Sequence, residues 1–294
     1  MKIGLIDVDS HNFPNLALMK ISAWHKKQGD TVDWWNGLEH YGKVYVSKVF
    51  DETYTKDMNY CINTDEIIKG GTGYDLKNKL SPVIESICPD FNLYPQLKES
   101  YGFLTRGCPR GCEFCVVGEK EGLKSVQVAD LGQFWNKQKE IKLLDPNLLA
   151  CADWKKLLQQ LIDSKTWVDF TQGLDIRFMD DEKAAMLNQL MVKMIHFAWD
   201  NYEFDTYEKL KQFRPKLNYG YRKLKVYVLT NFNTTLEQDL ERIYKLKELE
   251  YDPYVMIYDK PNAPQAIRYL QRWVNNKIIF RSTEKFEEFN PKLG

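Results

Sequence analysis

The chain has 294 residues, 44% hydrophobic and 14% aromatic, and its 41 basic and 41 acidic side chains cancel to a formal charge of zero. That length allows one large domain or two modest ones with ample core, and the charge balance lacks the overall basic excess common in nucleic-acid binders. No run of ~18 apolar residues occurs, and Asp7 interrupts "MKIGLIDVDS" too early for a signal peptide, so a soluble, cytoplasmic protein with reduced thiols is expected.

In chain order, "KIGLIDVD" reads as a buried strand. "FPNLALMKISAWHKKQGD" reads as a helix, with Pro14 at its start, Leu16, Met19 and Ala23 at helical spacing, and Gly29 as C-cap. "TVDWW", "KVYVSKVF", "YCIN" and "EIIKGG" read as further strands, so residues 1 to 75 predict a parallel α/β sheet. "KNKLSPVIESICPDFNLYPQLKES", with Pro82, Pro89 and Pro95, reads as a connection with a short helix and a domain boundary. Beyond it, candidate strands are "EIKLLD", "TWVDFTQG", "MIHFAW", "KVYVLTN", "PYVMIY" and "KIIF". Between them "DWKKLLQQLIDS", "DDEKAAMLNQLMV" and "TTLEQDLERIYKLKEL" carry helical periodicity. Repeated βα units predict a partial or full (β/α) barrel. No internal repeat or low-complexity segment is visible.

Chemistry concentrates in "YGFLTRGCPRGCEFCVVGEKEG". Cys108, Cys112 and Cys115 follow C-x3-C-x2-C and cannot all pair with one another. Thiolates are soft ligands that select zinc, copper(I) or iron–sulfur clusters. Structural zinc takes four ligands, and neither Cys88 nor Cys151 stands at zinc-like spacing. Three protein ligands leave one coordination position open. Gly107 and Gly111 permit a tight turn close to a metal, and Phe114 is placed to cover a cluster or its ligand.

The loop "RGCPRGCEFC" resembles the cluster loop of the radical S-adenosylmethionine (SAM) enzymes. The resemblance implies a 4Fe–4S cluster on Cys108, Cys112 and Cys115, whose fourth iron chelates the amino and carboxylate groups of SAM. One electron then cleaves a C–S bond to give a 5′-deoxyadenosyl radical that abstracts hydrogen from substrate. It also implies a partial (β/α)6 barrel over residues 91–294, with "YGFLT" as the first strand, and SAM contacts at the strand ends. The resemblance makes Asp145, which closes "EIKLLD", a hydrogen-bond partner of the SAM amino group; it stands where such enzymes carry a GGE-like motif, which this chain lacks. "DFTQGLDIRF" resembles a strand end of the cobalamin-associated branch and offers Gln172, Asp175 and Arg177; the two charges would contact SAM's ribose and carboxylate, with an ordinary ion pair between them as the open alternative. "HFAWDN" and "VLTNFN" end similarly with Asp200 and Asn231. His196, on an apolar strand, and Cys151 read as packed residues.

Residues 1–90 resemble a small Rossmann-like, cobalamin-binding-like domain. "DVDSHNFP" is similar to the D-x-H-x-x-G loop that ligates cobalt, which would make His11 the cobalt ligand, with Pro14 in place of the glycine. "KGGTG" stands where such domains contact the nucleotide tail; a domain of this shape without cofactor is the open alternative. Gly70, Gly71 and Gly73 do not make a dinucleotide fingerprint.

The expected function is a radical SAM enzyme of unknown reaction subclass and substrate, fed by flavodoxin or ferredoxin, with cobalamin-dependent methyl transfer as one outcome. The alternatives are a non-catalytic iron–sulfur or zinc protein that regulates or binds a partner, and an enzyme using SAM as an ordinary methyl donor. No membrane partner is expected. "RPKLNYGYRKLK" is basic and aromatic, which leaves nucleic acid open as a partner, with a solvated surface loop as the plainer reading.

Overall fold

The computed structural model describes residues 1–11, 13–57, 62–202 and 204–292. The protein is mixed α/β with parallel main sheets. It divides into two compact units, Met1–Gly102 with Ala129–Ile141, and Phe103–Val128 with Lys142–Gly294.

The first unit runs β1 (Lys2–Asp7), α1 (Leu16–Lys27), β2 (Thr31–Trp34), β3 (Lys43–Ser47), β4 (Ile67–Gly70), α2 (Pro82–Glu85) and β5 (Ser100–Gly102). Its four-stranded sheet has the order β2-β1-β3-β4, all parallel. Ile3 and Leu5 pack with Leu18, Met19 and Ile21 on one face, and Ile6, Val44 and Val46 pack on Tyr41. Burial of each such side chain contributes roughly 1.5–3 kcal/mol. The α1 cap is Asn15, one residue after Pro14, and its side chain accepts from Leu18 N. Of the expected "YCIN" strand, Tyr60 and Cys61 lie outside the described residues, and Ile62 and Asn63 are not in a strand.

The second unit opens with a hairpin of β6 (Thr105–Arg106) and β7 (Val126–Gln127), with α3 (Val117–Glu121) between them. The βα succession follows: β8 (Glu140–Leu143), α4 (Trp154–Ser164), β9 (Trp167–Phe170), α5 (Asp181–Leu187), β10 (Val192–Ala198), α6 (Phe204–Phe213), β11 (Leu224–Thr230), α7 (Leu236–Glu248), β12 (Asp252–Ile257), α8 (Gln265–Asn275) and α9 (Lys277–Ser282). The strands β8 to β12 lie side by side in chain order, and the β9–β10, β10–β11 and β11–β12 pairs are parallel. A helix on each connection is what parallel neighbours require. Alternate residues of these strands, such as Val168, Ile195, Phe197, Val226 and Val255, are fully buried. Leu270, Trp273 and Val274 of α8 join Val255 in that core.

Two expected boundaries change. "KIIF" is α9, not a strand: the Asn276 side chain accepts from Ile278 N and Ile279 N, which caps a helix, and one side chain, Phe280, is buried while Ile278 points to solvent. The expected helix 180–192 ends at Leu187, because Val192 already pairs with Val168 in the sheet. Among the described residues no helix is long and apolar enough to cross a membrane.

Candidate metal centre

The cysteines sit on the loop that the β6–β7 hairpin closes. Its neck is held by Glu121, whose carboxylate accepts from Arg106 Nη1 at 2.8 Å and from Gly107 N at 3.0 Å. Cys108 N adds a bond to Gly122 O at 3.1 Å. Gly107 has φ 84°, and a Cβ there would lie 2.3 Å from Lys124 O, so only glycine passes this point. Further round, Cys115 N bonds Cys112 O at 3.0 Å, which closes a tight turn between the last two cysteines.

The strand entering the loop is pinned by Asp145, beyond the end of β8. Its carboxylate accepts from Leu104 N at 3.2 Å, Thr105 N at 2.5 Å and the Thr105 hydroxyl at 2.6 Å. Burial raises the Asp145 carboxyl to about 6 in spite of these bonds. Both its oxygens are thus engaged by the cysteine hairpin.

Two residues on, Asn147 is buried and its Nδ2 donates to Cys108 Sγ at 3.4 Å, a length suited to sulfur. Its Oδ1 is buried with no hydrogen-bond partner among the described residues.

The Cys112 thiol is pushed up by burial and pulled down by Arg177 and Arg110. The Cys115 thiol is also raised, first by desolvation and then by Cys108, Asp200 and Glu121. The three thiols and the expected strand-end charges therefore share one electrostatic neighbourhood. Asp175 receives Arg177 Nε at 2.7 Å and Nη2 at 3.1 Å, and Arg110 Nε lies 3.9 Å from the same carboxylate. Asp200, past the end of β10, is raised to about 6 by burial against the pull of Arg242 and Arg177.

Arg242 fixes that end of the sheet. It is fully buried on α7, pairs with Asp239 at 2.5 Å, and donates to the carbonyls of Trp199, Asp200 and Leu229. Phe114 meets Phe232 edge-to-face at 5.5 Å, and Phe232 meets Tyr258 at 4.9 Å, so the loop's aromatic rests beyond β11 and β12. Asn231 holds a left-handed backbone (φ 62°) and donates to Tyr258 O at 2.8 Å. Gln172 is exposed on the turn after β9.

The structure thus brings Cys108, Cys112, Cys115, Asp175, Arg177 and Asp200 into one neighbourhood, and seats Phe114 beside the strand that Asn231 ends. Among the described residues, no three Cys, His, Asp or Glu side chains stand already assembled around a point where a metal would sit. Donor chemistry nonetheless suits a soft metal or cluster: three thiols stand on one glycine-hinged loop, and burial opposes the ionisation of Cys112 and Cys115, which a bound cation reverses.

His11 belongs to the first unit, exposed on a left-handed backbone (φ 46°) after β1. The preceding Asp9 is buried, and its two oxygens accept from Val49 N at 2.7 Å and Phe50 N at 2.9 Å. In "KGGTG" a Cβ on Gly71 or Gly73 would strike the backbone of Lys48 or Phe50 at 2.3 Å and 2.1 Å. These glycines serve a close approach of this chain's own backbone.

Asn147, Glu121 and Arg242 escaped the reading of the sequence. Arg242 left a signal: it stands three residues after Asp239 on the stripe of α7 that also carries Ile243 and Leu246, where a buried arginine needs a partner. No family model matches the chain, and no curated protein matches it either.

Proposed function

We propose that this chain is an iron–sulfur enzyme of the radical SAM type. The observation that supports it best is the convergence of the C-x3-C-x2-C loop with Arg177, Asp175 and Asp200 beyond the sheet's C-terminal ends. Ligands gather there in (β/α) folds. The sequential order of β8 to β12 supports a partial (β/α)6 barrel, and the order β2-β1-β3-β4 supports a Rossmann-like first unit.

In this reading Cys108, Cys112 and Cys115 would hold a 4Fe–4S cluster. When bound, the cluster supplies one electron to the sulfonium of SAM and thereby opens radical hydrogen abstraction. Arg177 and Asp200 offer opposite charges to the polar ends of SAM. Arg242 holds the backbone that carries Asp200, and Phe114 with Phe232 walls the loop against water. Asp145 acts as a positioning residue through Leu104 and Thr105. Flavodoxin or ferredoxin is the class of donor with a low enough potential.

The test is a cofactor inventory of anoxically prepared protein, followed by dithionite reduction with SAM. Expected are about four iron and four sulfide per chain, and release of 5′-deoxyadenosine that Cys112→Ala abolishes together with the iron. Zinc in place of iron, or a full cluster that leaves SAM intact, overturns the reading in favour of a binding or regulatory protein. S-adenosylhomocysteine as product marks an ordinary methyl transferase. Cobalt in the same inventory, lost in His11→Ala, tests the expected cobalamin site.

A further inference from the structure

The two faces of the β9–β12 sheet are built differently. Val168, Phe170, Ile195, Phe197, Val226, Val228 and Val255 share one face and are buried. Parallel strands are normally apolar on both sides. Here the opposite face presents Asp169 and Thr171 from β9 and the turn after it, His196 from β10, Lys225 and Tyr227 from β11, and Tyr254 from β12. All but His196 are half-exposed.

The polar groups on this face are ordered, and Asp169 Oδ1 lies 3.7 Å from His196 Nδ1. His196 stacks on Tyr227 with ring centroids 4.9 Å apart and planes 11° from parallel. Tyr227 meets Tyr254 edge-to-face at 5.8 Å, and Lys225 Nζ lies 5.4 Å from the Tyr254 ring centre. His196 Nδ1 lies 3.0 Å from Phe170 O. A carbonyl only accepts, so Nδ1 carries the proton and Nε2 keeps a free lone pair. Burial, with Lys225 adding to it, lowers the His196 pKa to about 4, so the ring is neutral. Tyr227 OH donates to Thr171 O at 2.8 Å, while Thr171 Oγ1 is buried with no hydrogen-bond partner among the described residues. Asp252 on the same face is paired with Lys277 at 2.7 Å, whereas Lys225, its register partner, makes no ion pair among the described residues.

We infer that this face binds a small planar aromatic acid: the ring lies against Tyr227 and Tyr254, the acid group meets Lys225, and a ring hydroxyl or N–H donates to His196 Nε2. Each part of the ligand answers one group. Tyr227 already has one face on His196 and meets Tyr254 edge-to-face at 5.8 Å, and this partly buried corner takes a flat partner against the Tyr254 ring and the Tyr227 edge. Lys225 is the cation of this corner with no carboxylate of its own, and its place over a ring holds the ammonium where an anion beside a stacked ligand can reach it. Neutral His196 selects a donor and not a second anion-seeking cation.

The test is isothermal titration of the metal-free full chain with 4-hydroxyphenylacetate and indole-3-acetate, and with their neutral amides. The expected result is saturable binding of the acids, at least ~10-fold tighter than of the amides. Lys225→Met, which keeps the aliphatic stem, brings acid binding down to the amide level, and Lys225→Arg restores it. Tyr254→Leu weakens acid and amide alike. Should Lys225→Met fail to fold, the loss of acid binding but not amide binding with added salt decides the same point in the unaltered chain. No saturable binding of either acid, or equal binding of acid and amide, overturns the inference. Because no iron is present, neither result bears on SAM cleavage.

Discussion

Both units gather polar side chains where their parallel strands end, yet the two clusters are of different kinds. In the first unit the groups around Asp7, Asp9 and Asn15 close on one another. Asp9 takes two backbone N–H groups, Asp7 takes Ser10 and the Tyr94 hydroxyl, and Asn15 caps α1 while donating to Ser47. In the second unit the cluster stays open. Two thiols and Asp200 are held away from their ordinary titration by burial, Asn147 Oδ1 is orphaned, and Arg110 stands 3.9 Å from Asp175. A closed network stabilises and positions; an open one keeps bonding capacity for a ligand. The difference separates a structural polar cluster from a candidate site where composition alone does not.

Breaking the support of the open cluster has the largest expected effect. Arg242→Met leaves Asp239 buried and unpaired and lowers stability by about 3–5 kcal/mol, measured by denaturant unfolding. Adding Asp239→Leu recovers much of the loss, because an apolar pair replaces the stranded charge. Equal stability of Arg242→Met and the parent chain refutes the assignment of Arg242 as the clamp on β10 and β11.

Opening the closed cluster comes next. Asp9→Ala removes a buried carboxylate that takes the N–H groups of Val49 and Phe50 and costs about 1–3 kcal/mol, with iron content unchanged. Loss of iron without loss of stability would reverse the two roles.

The pH dependence is smaller and has a definite sign. The His196 pKa falls from 6.5 to about 4 on folding. Between those values the unfolded chain binds a proton that the folded chain refuses, so this residue's contribution, fully present above pH 6.5, is lost as pH falls toward 4. Asp145 and Asp200, raised to about 6, act in the opposite direction: the folded chain binds their protons first, and they favour folding as pH falls below 6. His196→Phe therefore removes an acid-destabilising contribution of about 1–3 kcal/mol. The check is stability measured at several pH values in both proteins; parallel curves defeat it.

The smallest effect concerns Asn147. In iron-loaded protein, Asn147→Leu removes an N–H donor from the Cys108 sulfur, which favours the reduced cluster. The midpoint potential falls by about 40 mV, the equivalent of roughly one net hydrogen bond. An unchanged potential shows that the contact does not reach the metal.

Much of this was legible in the sequence because it is local. Strand and helix periods repeat within a few residues, and eleven residues of "RGCPRGCEFCV" carry the thiol spacing, the hinge glycines and the covering aromatic. "KIIF" misled because four β-prone residues have no period of their own, and the cap that makes them helical lies just outside, at Asn276. Asp145 reads in the sequence as a strand-end contact for SAM and Asn147 as nothing in particular, yet one pins Thr105 and the other meets Cys108, some 40 residues away.

Taken alone, the chain's order of residues determined its α/β class, most of its elements and the trio of thiols, since these rest on spacing along the backbone. Tertiary structure decided which polar groups are satisfied. Whether a carboxylate or amide finds a partner depends on segments remote in sequence, and burial then multiplies the consequence. The distinction between the closed cluster at Asp9 and the open one at Asp200 exists only in the folded chain.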